Sequence, residues 1–258
     1  MAQGEFLWCD LGTFNVQDTL TYYRHLFDWD LKPEEFPDGS TYYYASSANE
    51  VTAGIYEMPD VYKADGMPSF WMSYIGVDDI VASCEEVEKL GGKVVLGPAS
   101  FGRGAAIAMI ADPFGARFTL FSGSHLQART TKMVAGGHFW NELYVPDLDA
   151  AAVFYSTLFG WKVSKADAAG RCEVKNLAGS PTTAFQENAT SPDPLNTPQW
   201  TVSFACDDID RFVKSLSAAD RESMLWIKNK QGAAIYIRDP NGAAFVVSQV
   251  VPGTGWFS

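Results

Sequence analysis

Histidine is scarce in this chain: three residues in 258, His25, His125 and His138. They fall on a helix-like segment, in a polar stretch and just before a strand-like segment. No Ser-His-Asp or Cys-His arrangement assembles from them, because an activated nucleophile needs a base within hydrogen-bond reach and a third group to orient that base. Cysteine is equally thin. Cys9, Cys84, Cys172 and Cys206 are scattered, without the CxxC pair of a metal or redox motif, and are expected to be buried reduced thiols that pack as small hydrophobes. No run reaches the ~20 apolar residues of a membrane helix. Met1-Ala2-Gln3-Gly4-Glu5 lacks the basic start and apolar stretch of a signal peptide, so the expectation is a cytoplasmic protein with no membrane partner. Positive charge is in deficit, with 19 Lys and Arg against 31 Asp and Glu and a net charge of -12. Nucleic acid is therefore not an expected partner, since its phosphates require clustered basic residues. The acidity serves solubility first and permits cationic ligands without demanding them. Gly102-Arg103-Gly104 is too short for a phosphate loop and lacks its lysine.

What the chain does have is a long internal repeat. Trp8-Cys9-Asp10-Leu11 and Tyr22-Tyr23-Arg24-His25-Leu26-Phe27-Asp28-Trp29 return as Trp140-Asn141-Glu142-Leu143 and Phe154-Tyr155-Ser156-Thr157-Leu158-Phe159-Gly160-Trp161. Trp71 followed by Val77-Asp78-Asp79-Ile80 matches Trp200 followed by Cys206-Asp207-Asp208-Ile209, and Asp112-Pro113-Phe114-Gly115 matches Asp239-Pro240-Asn241-Gly242. A period this long is a duplicated domain rather than a solenoid. With 47% hydrophobic residues, two cores of roughly 120 residues each are affordable. The expected division is residues 1–122, a linker at 123–137 rich in small and basic residues, and 138–258.

Within each half a finer rhythm is visible. Strand-like Phe6 to Leu11 leads to a helix with Leu20, Tyr23, Leu26 and Phe27 at three- and four-residue steps, then to strand-like Ser40 to Tyr44 and Val51 to Tyr56. After Met58-Pro59 the pattern restarts: strand from Phe70 to Val77, a cap at Asp78-Asp79, helix to Leu90, a stop at Gly91-Gly92, and strands near Lys93 to Val95, Ala105 to Ile110 and Ala116 to Phe121. The fold class expected is α+β, four βαβββ modules in two tandem domains. The paired acids before Ile80 and Ile209 read as helix caps rather than catalytic carboxylates.

The order of these fragments, twice over, resembles the vicinal oxygen chelate superfamily of glyoxalases, bleomycin-resistance proteins and extradiol dioxygenases. Leu143-Tyr144-Val145-Pro146-Asp147 before Phe154-Tyr155 and Leu158-Phe159-Gly160-Trp161, Val77-Asp78-Asp79-Ile80 and both Asp-Pro-x-Gly turns carry the likeness. The resemblance implies mixed sheets curled into ligand-holding cups, with helices covering the outside. Strand alternation then sorts side chains. With Leu11, Leu143, Ile75, Val77, Phe118 and Leu120 under the helices, the cup faces receive Trp8, Asp10, Met72, Tyr74, Arg117 and Thr119 in one copy. The other copy gives Trp140, Glu142, Thr201, Ser203, Ala244 and Val246.

The resemblance also implies a divalent metal, held by His, Gln or Glu on three cup strands. Here those places carry Trp8, Met72 and Thr119, or Trp140, Thr201 and Val246, which are poor ligands for a borderline metal. No metal or other cofactor is expected. The sparse alternatives are His138 with Glu142, or Asp10 with Glu57. In the ligands' stead stands a Trp with an acid two residues on. An indole face beside a carboxylate suits a flat or cationic organic molecule, and Asp10 or Glu142 also suits a general base. Ligand contacts are expected from Trp8, Tyr74, Arg117, Thr119, Trp140, Thr201 and Ser203, with the first cup the more polar. Arg117 is a candidate partner for a ligand carboxylate or for Asp10, and the Tyr42-Tyr43-Tyr44 run reads as core or rim packing. The leading expectation is a metal-independent protein that sequesters or carries a small organic molecule. The alternative is a lyase, isomerase or dioxygenase-like enzyme using Asp10 or Glu142 as base, with Tyr74 or Arg117 at a developing oxyanion. The proline-rich stretch from Ser191 to Pro198 reads as an exposed connection, and the assembly as a monomer or homodimer.

Overall fold

The computed structural model describes residues 3–64, 67–102, 104–124, 126, 134–188, 195–229 and 232–250. Arg103, His125 and the prolines of the 191–194 stretch lie outside them. The first half runs β1 (Phe6–Thr13), α1 (Val16–Phe27), β2 (Asp30–Glu35), β3 (Thr41–Ser47), β4 (Glu50–Glu57), α2 (Asp60–Ala64), β5 (Phe70–Gly76), α3 (Ile80–Lys89), β6 (Lys93–Gly102), β7 (Ala105–Ala111) and β8 (Arg117–Ser122). The second runs β9 (His138–Val145), α4 (Leu148–Phe159), β10 (Lys162–Val163), β11 (Arg171–Lys175), β12 (Pro181–Glu187), β13 (Gln199–Cys206), α5 (Ile209–Ser215), α6 (Ala218–Ser223), β14 (Leu225–Asn229), β15 (Gly232–Arg238) and β16 (Ala244–Gln249). Each half forms one eight-stranded mixed sheet, in the orders β2-β3-β4-β1-β5-β8-β7-β6 and β10-β11-β12-β9-β13-β16-β15-β14. The α+β class and the tandem βαβββ plan are as the sequence predicts. Strand β2, Asp-Leu-Lys-Pro-Glu-Glu, carries no alternation and escaped the sequence reading. It is a mostly exposed edge strand, where charges and proline are tolerated and discourage further pairing.

Helix caps follow the sequence. Asp79 accepts from the amides of Val81 and Ala82, Asp208 from Arg211 and Asp147 from Ala150, satisfying donors that a helix start leaves open. Along α1 the buried positions Val16, Leu20, Tyr23 and Phe27 form one stripe, and α4 does the same with Ala151, Tyr155, Leu158 and Phe159.

The placement of these helices departs from the expectation. They cover the sheet face opposite each cup, but that face is interior, because the two halves pack through their helices and through central strands such as β5 and β13. One core joins α3 and β8 of the first half to α4, Leu143, Phe185 and Trp200 of the second. The other joins α1, Leu11, Ile55 and Trp71 to Phe204, Ile209, Ile235 and Phe245. Neither large core belongs to one half. Physically, a single sheet with three short helices buries too little apolar surface on its own, and pairing two such units removes the exposed helix faces from water.

Hydrogen bonds related by the repeat tie the halves together. Trp71 Nε1 donates to Tyr23 Oη at 2.9 Å, and Tyr23 donates to Asp239 Oδ2 of the other half at 3.3 Å. Trp200 Nε1 donates to Tyr155 Oη at 3.0 Å, and Tyr155 donates to Asp112 Oδ2 at 2.9 Å. The Asp-Pro-x-Gly aspartates thus serve twice: Asp112 also accepts from Phe114 and Ala116, and Asp239 from Asn241 and Ala243. A buried carboxylate is costly unless hydrogen-bonded, and each is satisfied by its own turn and by a tyrosine across the interface. Trp29 Nε1 donates to Gly136 O at 2.9 Å, and Trp161 Nε1 to Gly4 O at 2.8 Å. The repeated Trp71 and Trp200 are therefore packing residues of the two shared cores.

Candidate functional site

In the first sheet the register places Asp10 beside Gly54 of β4 and opposite Met72 of β5, with Trp8 opposite Tyr74 and Tyr74 beside Thr119. These side chains share the cup face, where Leu7, Met72, Tyr74 and Phe121 pack with Trp8, Ile107 and Met109. Gly54 is what lets β3 contribute. A β-carbon there would overlap the Tyr42 phenol, so only glycine allows that ring to cross β4 and reach β1. Tyr42 donates to Asp10 Oδ2 at 3.3 Å and accepts from Trp8 Nε1 at 2.8 Å, while Tyr74 donates to the same Oδ2 at 2.8 Å. The Tyr56 ring stacks on Tyr42 at 6.3 Å between centroids, and Tyr44 lies 5.0 Å from Tyr42 and 6.2 Å from Trp8.

Asp10 is only 3% exposed. Burial pushes its carboxyl up to about 7, against the downward pull of the bonds from Tyr74 and Tyr42; a desolvated carboxylate is disfavoured more than two neutral donors can recover. Its Oδ1 is buried and has no hydrogen-bond partner among the described residues. Tyr42 and Tyr74 are held well above the ordinary phenol range by burial and by Asp10, so both remain neutral donors. The carboxyl is thus a group that gains or loses a proton near neutrality, with one oxygen occupied and one available.

The second sheet builds the equivalent place differently. Glu142 stands beside Ala184 and opposite Thr201, and Trp140 opposite Ser203. Glu142 Oε1 accepts from Arg171 Nε at 3.0 Å, both side chains being nearly buried. Burial raises the Glu142 carboxyl, and Arg171 pulls it back through charge and hydrogen bond. Trp140 is buried with Phe139, Ala184, Ala205 and Val250. Thr201 Oγ1 donates to the Glu142 carbonyl at 3.3 Å, and Ser203, beside Val246, is buried. Leu195, 1% exposed, packs on the same face with Tyr144, Ala234, Tyr236 and Val246. Leu195 thus packs over the second cup, whereas Asn196 and Thr197 beside it are exposed, as expected of a connection, and residues 191–194 lie outside those described. The single leucine of the stretch had no periodic context to mark it as buried.

Asp10, Trp8, Tyr74 and Thr119 come together in one cup, and Glu142, Trp140, Thr201 and Ser203 in the other. Arg117 does not join Asp10. It is exposed at the start of β8, and among the described residues Asp10 is bonded by tyrosines instead. The second cup carries an ion pair that the sequence reading did not anticipate. Arg171 and Tyr42 escaped as site residues because each acts from a strand two removed from β1 or β9; the signal that would have found Tyr42 is the glycine at position 54.

Both sparse metal alternatives fail on register. A β-bulge lies between the pairings of Trp140 and His138, which turns His138 off the cup face. Its Nε2 is 3.2 Å from Asn141 Oδ1, which also accepts from Ser73. Glu57 pairs with Thr13, opposite in parity to Asp10, and is exposed. At the places where the superfamily holds its metal stand an indole, a thioether and a hydroxyl, or an indole, a hydroxyl and an isopropyl group. Among the described residues no group of three or more His, Cys, Asp and Glu could hold a metal ion. The donor set does not fit one, because a site needs several charged or imidazole ligands with a supporting shell.

Comparison with known proteins agrees with this architecture. The model of the Glyoxalase/Bleomycin resistance protein/Dioxygenase superfamily matches residues 5–120 and again 136–247. A protein of Mycobacterium tuberculosis named "Putative glyoxylase CFP32" is 30% identical over 97% of this chain and 96% of its own. "Anthracycline biosynthesis protein DnrV" of Streptomyces peucetius is 27% identical over 98% and 95%. Among solved structures, the 2,3-dioxygenase LapB from Pseudomonas sp. KL28 superposes with a TM-score of 0.61 at 13% identity, covering 100% of this chain and 95% of that one. The Mn(II)-bound glyoxalase from Novosphingobium aromaticivorans gives 0.58 at 14%, covering 100% and 92%. At such identity the structural likeness is one of fold. With both halves matched, the chain belongs to the glyoxalase/bleomycin resistance protein/dioxygenase superfamily.

Proposed function

We propose that the first cup binds a small organic molecule without a metal, with Asp10 as the polar anchor and the rings of Trp8, Tyr42, Tyr44 and Tyr56 as its walls. The observation that carries this reading is the Asp10 carboxyl itself, held at one oxygen by two tyrosines and, among the described residues, left without a hydrogen-bond partner at the other. A buried acceptor of this kind is expensive to keep, and a ligand donor satisfies it. The half-exposed rings around it offer flat faces for stacking, whereas the equivalent second-cup face is covered by Leu195. The names of the relatives, a glyoxylase and proteins of anthracycline biosynthesis, support small organic molecules as the ligand class.

The test is titration of the full chain with a panel of flat organic molecules, followed by tryptophan emission. Saturable quenching that is lost in Trp8→Phe and weakened in Gly54→Ala supports the reading. No saturable ligand, or binding that vanishes with Trp140→Phe but survives Trp8→Phe, overturns it. A second reading is favoured by the Asp10 carboxyl at about 7, close to the working pH of a general base. In that case a bound substrate loses a proton to Asp10 Oδ1, and Tyr74, released as the carboxylate is neutralised, turns its one hydroxyl hydrogen to the oxygen that gains charge. Turnover abolished by Asp10→Asn with binding retained is its expected signature.

A further inference from the structure

We propose that the ligand of the first cup is an organic cation, an ammonium group carried on a flat apolar body. This rests on the first cup being the binding site and names the chemistry it selects. The two copies of the fold supply the argument. In the second sheet Glu142 stands beside Ala184, and Arg171 stands across from Gln186, two residues along β12. In the first, Asp10 stands beside Gly54, and Tyr42 stands across from Tyr56, two residues along β4. Tyr42 therefore occupies the place of Arg171. The second copy carries its own cation for its buried carboxylate, while the first offers a phenol. A phenol satisfies an oxygen but does not balance a charge, and among the described residues no Lys or Arg forms an ion pair with Asp10.

The walls match the missing charge. An ammonium is attracted to the faces of aromatic rings, and Trp8, Tyr42, Tyr44 and Tyr56 are half-exposed neighbours. Asp10 Oδ1, buried and without a hydrogen-bond partner among the described residues, is left to accept an N–H, with one of the half-exposed rings turning aside to admit it. A neutral donor can satisfy Oδ1 but gains no charge pairing from an ionised carboxylate in this position, and an anion is repelled. At longer range the net charge of -12 favours approach of cations. The second cup cannot serve the same ligand, since Arg171 already neutralises Glu142 and Leu195 covers the face.

The experiment is calorimetric titration of the full chain at pH 8 with 1-naphthylmethylammonium, 1-naphthylmethanol and 1-naphthoate. The expected result is an ammonium bound about tenfold more tightly than the alcohol, with the carboxylate weakest. Asp10→Asn should bring the ammonium to the alcohol's affinity. Tyr42→Arg, which installs the second copy's guanidinium, should do the same, with circular dichroism confirming that the variant is folded. Equal affinity of alcohol and ammonium, with both lost in Trp8→Ala, overturns the cation proposal and keeps the first-cup reading. An ammonium preference that survives Asp10→Asn overturns the proposal as well. Failure of all three compounds to bind overturns both.

Discussion

The two cups are built on one plan and solve the same problem in opposite ways. Each carries a carboxyl at the centre of its sheet, two residues after a tryptophan. In the second, an arginine from β11 balances the charge and a leucine closes the face. In the first, tyrosines replace the arginine, and burial moves the carboxyl to about 7. The difference teaches that a duplicated fold can freeze one site while leaving its twin responsive, by exchanging a few residues around a carboxyl that both copies keep. A fixed ion pair needs nothing from outside. A desolvated acid held only by neutral donors stays sensitive to protons and to any group that enters.

The comparison breaks most visibly if the second carboxylate loses its cation. Arg171→Met should destabilise the chain by about 3–5 kcal/mol at pH 8, because it leaves a buried charge uncompensated; urea unfolding measures it, and a loss below about 1 kcal/mol would show the pair to be dispensable. The double variant Arg171→Met, Glu142→Gln should recover most of that loss. Next in size is the pH response of Asp10. Its folded pKa lies above the unfolded 3.8, so between about pH 4 and 7 the folded state holds a proton that the unfolded state has released, and stability falls as pH rises through that window. Asp10→Asn removes this slope. It should match the parent near pH 4 and exceed its stability by about 2–4 kcal/mol at pH 8, and identical pH curves would remove Asp10 as a titrating centre.

Leu195→Ala is expected to cost about 2 kcal/mol by opening the face that Tyr144 and Tyr236 line, as measured by urea unfolding; a loss below about 0.5 kcal/mol would mean that Leu195 is not the plug. The smallest change is Tyr42→Phe, worth about 1 kcal/mol for the lost hydrogen bonds. Removing a donor to the carboxylate should move the Asp10 midpoint upward, as followed by NMR of the carboxyl carbon, and a downward shift would contradict the assignment of Tyr42 as its donor.

Much of this arrangement is legible in the sequence because alternation is a strict geometric rule. Trp8, Asp10, Tyr74 and Thr119 reach one face, and Leu11, Ile75 and Phe118 the other, since successive strand side chains must point apart. The rule fails where a residue is inserted. The bulge before Trp140 turns His138 away from Glu142, and nothing in the local composition announces it. It fails again across strands. Whether Glu57 faces Asp10 depends on a parallel register set by the whole sheet, and Arg171 meets Glu142 across an intervening strand. Leu195 lies in a stretch without periodicity, where burial is decided by what the loop crosses. The sharing of the cores between halves was likewise invisible, because an apolar helix stripe records that a face is buried and not which partner buries it.

That sharing has a consequence for how the chain comes into being. Synthesis delivers the first half before the second exists, and until residues beyond about Phe204 have been made, the stripe on α1 and the ring of Trp71 lack the part of their core that the second half supplies. Asp239, which receives the Tyr23 hydroxyl, comes later still. The newborn first half thus has part of its apolar core open to water, a species that invites self-association or a chaperone's attention. The order of translation makes the second repeat the lid that completes its predecessor, and a ribosome pausing between the two leaves an adhesive intermediate rather than a finished domain.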